Sequence, residues 1–183
     1  MMKEYETRRL VLKVLDSTSA EQVLKYFLRN KSFLKKWEPA KDRNYYTLDY
    51  QREMLDKEWK EIQDKCMLRL WIFKKEEPDN VIGSVSFTRI IRGPFLSCYL
   101  GYRLDNNEIN KGYMTEAVKK GIDIIFREYK LHRVEANIMP ENKASLRIVE
   151  KLGFHYEGLA VKYLKINRRW EDHMHMVLIN PKI

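Results

Sequence analysis

"NNEINKGYMTEA", residues 106–117, is where a polar loop turns into a helix. One glycine, Gly112, stands just ahead of Met114, Ala117, Val118, Gly121, Ile122, Ile125 and Tyr129, which mark one face of that helix. A helix N-terminus leaves backbone N–H groups unpaired and carries partial positive charge. A loop that wraps onto such an end cradles an anion. Gly112 lets the backbone approach closely, Asn110 tolerates a left-handed conformation, and Lys111 adds a point charge. A pyrophosphate at the C-terminal end of a parallel strand suits this cradle. GxGxxG is absent, which argues against a Rossmann dinucleotide site.

Working outward, "MLRLWIFKK" (67–75), "VIGSVSFTRII" (81–91) and "FLSCYLGYRL" (95–104) read as strands. "EEPDN" (76–80) and "RGP" (92–94) join them as short turns, so they form an antiparallel meander. Before them, "RLVLKVL" (9–15) reads as a first strand, and Thr18 with Glu21 as a capping box for a first helix. Pro39 keeps "FLKKWEPA" (33–40) a loop, and Leu48, Leu55, Trp59 and Ile62 stripe a second helix.

After the decisive helix, "HRVEANIM" (132–139) enters directly as a strand. A strand–helix–strand passage predicts that it runs parallel to "FLSCYLGYRL". "NKASLRIVEKLG" (142–153) is a short helix with Asn142 as N-cap and Gly153 as its stop, and two strands around "FHYEGLAVKYLKI" and "RWEDHMHMVLI" close the chain. The order β-α-α-β-β-β-α-β-α-β-β predicts an α/β (or α+β) mixed sheet of about seven strands with helices on both faces. With no repeat, linker or low-complexity segment, residues 1–183 read as one domain with its core over about 8–180. Two helix N-termini then face the mouth between two parallel strands. If those strands diverge, an extended ligand can bind there like an added strand, and a phosphate-bearing pantetheine arm fits.

Composition sets the class. Of 183 residues, 44% are hydrophobic and 33% charged, as in an ordinary globular protein. Cys66 and Cys98 form no CxxC pattern, which suggests a reducing, cytoplasmic setting. "MMKEYETRRLVLKVLD" lacks the apolar core of a signal peptide or membrane span. The net charge of +9 points either to a polyanionic setting such as a ribosome or simply to solubility. His173 and His175 lie two apart on a strand, without a third ligand at useful spacing, so no metal site is expected.

The segment from "GYRLDNNEINKGYMTEAV" through "HRVEANIMPENKASLRIVEKLGFHYEG" to "WEDHMHMVLI" resembles the GCN5-related N-acetyltransferases, the GNAT superfamily. "FLKKWEPA" and "IIRGPFLSCYLGYRL" are similar to its branch that acetylates the N-terminal alanine or serine of ribosomal proteins. The likeness covers about residues 8–180, and "N-K-A-S-x-R-x-x-E-K-L-G-F-x-x-E-G" is its most specific run.

The resemblance implies that acetyl-CoA is cosubstrate and that Asn110, Lys111, Gly112, Tyr113, Met114 and Thr115 hold its pyrophosphate. Asn110 stands where the family's loop usually has an earlier glycine. Leu100, Gly101 and Tyr102 supply backbone to the pantetheine and an oxyanion donor, and Asn142 touches the pantetheine or acetyl end. Ser145 falls where the ribosomal branch has a serine that protonates the leaving thiolate; the tyrosine many relatives use is here Val149. The glutamate base of the serine branch falls at Leu164 and is not carried over, leaving Glu157 as a candidate base. Trp37, Glu38, Phe95 and Tyr163 are candidates for the acceptor pocket, with Glu38 attracting a protonated amine. The implied reaction is direct acetyl transfer, in a ternary complex, to a primary amine, foremost a protein N-terminus. A polyamine or aminoglycoside acceptor, and a weakly catalytic CoA-binding, ribosome-associated protein, are the alternatives. Monomer and homodimer stay open.

Overall fold

A computed structural model describes residues 3–183; the first two residues of the N-terminal stretch lie outside them. Strands β1 (Glu4–Glu6) and β2 (Leu10–Lys13) precede α1 (Ala20–Leu34) and α2 (Leu48–Gln63). The meander β3 (Leu68–Lys74), β4 (Glu77–Ile91) and β5 (Ser97–Leu104) follows. Then come α3 (Tyr113–Arg127), β6 (Arg133–Ile138), α4 (Lys143–Lys151), β7 (His155–Ile166) and β8 (Arg169–Ile179). They form one sheet in the order β1-β2-β3-β4-β5-β6-β8-β7. The α/β class, the meander and both helix pairs are as the sequence predicts. The count is eight strands, because the three-residue β1 pairs with β2 and is too short to show a period of its own.

Smaller boundaries also move. Asp16, not Thr18, bonds the chain ahead of α1, accepting from the Thr18 N–H, and a short 3₁₀ turn intervenes. Phe33 and Leu34 still belong to α1. β4 begins at Glu77, so only the front of "EEPDN" turns; a register break between Phe73 and Lys74 absorbs Pro78–Asn80, which lets a proline sit in the strand. β5 begins at Ser97, leaving Phe95 in the connecting loop.

Alternation along the strands divides the sheet into two faces. Leu70 and Ile72 of β3 join Val85, Phe87, Leu100, Val134 and Ala136 beneath α3 and α4. Trp71 and Phe73 point the other way, into a cluster with Tyr26, Phe27 and Leu55 of α1 and α2. Gly121 is required on the first face, since a Cβ there would come within 2.7 Å of the Phe87 ring. Cys98 is buried in this core, and burial, with Glu135 nearby, pushes its thiol up to about 12, so it packs as a small apolar group.

The feature that positions the site is the single parallel pair. β5 and β6 are bonded only over Ser97–Tyr99 and Arg133–Glu135. Beyond Tyr99 the strands part, while β5 stays paired with β4 through Leu104 and β6 with β8 through Ile138. The backbone groups of Leu100–Leu104 that point toward β6 therefore have no strand partner.

Candidate active site

A cavity of about 680 Å³ fills the gap between the parted strands. At one end are the loop and the N-terminus of α3. Gly112 is the N-cap at φ 81°, and Asn110 also takes a positive φ, 62°. Both are conformations that a β-branched residue resists. No side chain caps α3, in contrast to α2, where Thr47 accepts from Tyr50, and α4, where Asn142 accepts from Ser145 at 3.2 Å. The first-turn N–H groups of α3 are thus left free at the cavity, as a phosphate site requires.

The loop is held from three sides. Asp105 accepts hydrogen bonds from Arg29 and Asn30 of α1, and the Asn106 N–H donates to Asn30. Glu108, buried, binds Lys74 at 3.2 Å and Lys111 at 3.0 Å. Lys111 is therefore turned to Glu108; neither it nor Tyr113 lines the cavity. Arg9 is the third clamp, and no local pattern marks it. Its Nη1 donates to the Lys111 carbonyl at 3.0 Å, its Nε to Glu116 at 2.8 Å, and its guanidinium lies over the Tyr113 ring. Burial works against the Glu116 charge, but hydrogen bonds from Thr7 and Arg9 overcome it and hold the carboxyl below its ordinary value. Exposed Arg147 and Lys151, one turn apart on α4, line the same cavity.

At the middle, Leu100, Gly101 and Tyr102 face Asn142 and Ser145 across the gap. The Tyr102 hydroxyl donates to the Ser145 carbonyl at 3.0 Å, and burial raises its pKa, so it is a neutral tie between β5 and α4. The Ser145 N–H is capped by Asn142, while its side chain lies within hydrogen-bonding reach of the Tyr102 hydroxyl. The hydroxyl is thus not consumed by the local helix bonding open to an N-terminal serine. Val149 is fully buried.

The far end lies on the α1/α2 face of the sheet, lined by Trp37, Glu38, Lys41, Arg103, Asn137 and His173. Glu38 is paired with Arg103 at 2.6 Å; burial opposes the Arg103 charge, and Glu38, with Tyr45, Tyr26 and Glu58, outweighs it and raises the pKa. The carboxylate read from sequence as an attractor for ammonium thus already has its cation. Phe95 is exposed in the β4–β5 loop and lines nothing. Tyr163 is outside the cavity wall but accepts from Asn137 at 3.2 Å and packs on His173. Glu157 lies away from the cavity, gripped by both Arg133 Nη atoms; those hydrogen bonds, with His155, pull its carboxyl down to about 2. A carboxylate so held is a weak proton acceptor near neutral pH, and it lies too far aside to serve as the base.

Parted parallel strands, an uncapped helix end and a through-running cavity define an enzyme that holds an extended, phosphate-bearing acyl donor across its sheet. Residues 9–155 match the family model described as "Acetyltransferase (GNAT) domain", and the chain belongs to that family. It is an acetyltransferase with acetyl-CoA as donor. It is similar to the probable N-acetyltransferase YjcK of Bacillus subtilis, 38% identical over 95% of this chain and 96% of that one. It is also similar to the [ribosomal protein uS5]-alanine N-acetyltransferase of Escherichia coli, 34% identical over 96% and 90%. The ribosomal-protein-S5-alanine acetyltransferase structure from Vibrio fischeri superposes with a TM-score of 0.94 at 33% identity, covering 98% of this chain and 97% of that one.

Proposed function

We propose that the protein acetylates the N-terminal α-amine of a protein, one beginning with alanine or serine and foremost a ribosomal protein, as a single cytoplasmic N-acetyltransferase domain. The observation that carries this is the charge on the cavity wall. Glu38 is its one carboxylate among the described residues, and Arg103 neutralises it; Lys41, Arg103, Arg147 and Lys151 are its cations. A polyamine or aminoglycoside brings several positive charges and meets no unpaired anion there. A peptide N-terminus brings one charge, which it loses readily, since its pKa is about 7.7–8.0 against about 10.4 for lysine. The full-length similarity to alanine N-acetyltransferases supports the same acceptor.

In this reading the loop 110–115 takes the pyrophosphate through backbone N–H groups, and the unpaired edge of β5 takes the pantetheine. The same edge, near Leu100–Tyr102, offers N–H groups to the carbonyl oxygen as charge develops. In the same reading the Ser145 hydroxyl protonates the leaving thiolate. The test is thiol release from acetyl-CoA with panels of Ala- and Ser-starting peptides, polyamines and aminoglycosides. Release with the peptides is expected. Release with polyamines alone overturns the acceptor, and coenzyme A binding without release for any amine overturns catalysis.

A further inference from the structure

From the sequence, His173 is one of two histidines on a strand with no third metal ligand at useful spacing. Its surroundings give it another role. The side chain is 5% exposed and lines the acceptor end of the cavity. Its Nδ1 lies 3.0 Å from the Glu171 carbonyl oxygen. A carbonyl only accepts, so Nδ1 carries the hydrogen, and the lone pair of the neutral ring is on Nε2. Nε2 bonds to no described residue and is not among the sealed, unpartnered atoms of the interior. The Tyr163 ring packs against the imidazole at a centroid distance of 5.4 Å and fixes its plane.

Asn137 lies on the same sheet face, lines the same cavity and donates its amide N–H to Tyr163. It thereby holds the ring that packs on the imidazole. One free, basic acceptor thus lies on the wall where an ammonium must give up a proton.

Resting on the function proposed above, we propose that His173 Nε2 is the general base for the acceptor amine. The incoming ammonium gives one proton to Nε2, which passes it to solvent. The neutral nitrogen then forms a C–N bond to the thioester carbonyl carbon as the C–S bond breaks. The second nitrogen proton ends on sulfur, giving amide and free thiol. The other ionisable groups on this wall are Lys41 and the Glu38–Arg103 pair, with Tyr163 and, beyond it, His175 packed behind the ring. Glu38 is held by Arg103, Lys41 is a cation and Tyr163 a phenol, and His175 lies outside the cavity wall, so on that wall His173 alone offers a basic lone pair.

The test compares wild type, His173→Ala and His173→Gln with acetyl-CoA and an alanine-starting peptide, alongside coenzyme A affinity by calorimetry. Turnover by both variants is expected to fall about 100-fold, with coenzyme A affinity within about twofold as the sign of an intact fold. Added imidazole restores part of the His173→Ala rate. Wild-type release with His173 variants at wild-type rates overturns this inference alone. No release by wild type with any amine overturns the proposed function, and this role with it. Variants that lose rate and coenzyme A binding together, without imidazole rescue, show a structural residue and also overturn it.

Discussion

Ser145 gives the sharpest case at the scale of single residues. Its N–H is spent on Asn142 and its carbonyl on Tyr102, so backbone bonds fix the residue and the hydroxyl is not needed to hold it. Ser145→Ala therefore removes one oxygen from the cavity and no support from α4. Turnover in the thiol-release assay should fall about 10- to 100-fold, while acetyl-CoA affinity by calorimetry stays within about twofold. Unchanged turnover would remove Ser145 from the chemistry. Gly112 is the converse case, because its role lies in the backbone. A valine at φ 81° is strained by at least about 1–2 kcal/mol, and its Cβ would sit 3.3 Å from Arg9 Nη2. Gly112→Val should weaken coenzyme A binding at least about tenfold, whereas Asn110→Gly, which only relaxes an existing positive φ, should leave it intact or better.

At the scale of elements, what could be read from the sequence followed from local periodicity. Six of the seven positions read on one face of α3, the N-cap Asn142 and the glycine before α3 carry their meaning within a few residues and stand where they were read; Tyr129, the seventh, is buried just past the helix end. The parallel β5–β6 pairing followed from connection length alone. What escaped depended on long-range register. Arg9 reaches Glu116 from over a hundred residues away, and only the placement of β2 beside α3 brings them together. Glu157 and Tyr163 both belong to β7, whose pairing with β8 breaks between Tyr156 and Gly158 and again between Ala160 and Leu164. Those breaks reset which face each residue occupies, so counting by twos cannot place them. Glu38 failed as an ammonium attractor for a related reason: its cation, Arg103, comes from β5. His173 was assigned its strand and face, but nothing local revealed the cavity in front of it.

At the scale of the molecule, two clamps tie the anion loop to distant parts of the chain, and both depend on ionised carboxyls. Burial alone would raise Asp105 and Glu116, yet hydrogen bonds from Asn107, Asn30 and Arg29 to the first, and from Thr7 and Arg9 to the second, hold both below their ordinary values. A carboxyl depressed in the folded state contributes stability that is present above its unfolded pKa of about 4 and lost as pH falls through the lower folded value. The thermal midpoint should therefore drop on acidification below about pH 4. Glu116→Gln should cost about 2 kcal/mol at neutral pH and flatten that acid limb in a calorimetric pH series. An unaltered limb in Glu116→Gln would show that the clamp does not titrate with folding.

Under the proposed function, this acetyltransferase selects a singly charged α-amine at the end of a chain. One peptide with an N-terminal alanine and an internal lysine tests this, incubated with acetyl-CoA and the protein, with the acetyl group located by fragment mass spectrometry. Saturable thiol release matched by acetylation of the alanine α-amine, with the lysine unmodified, is expected. Acetylation of the lysine ε-amine, or no acetylated peptide under conditions where a polyamine is acetylated, would contradict it.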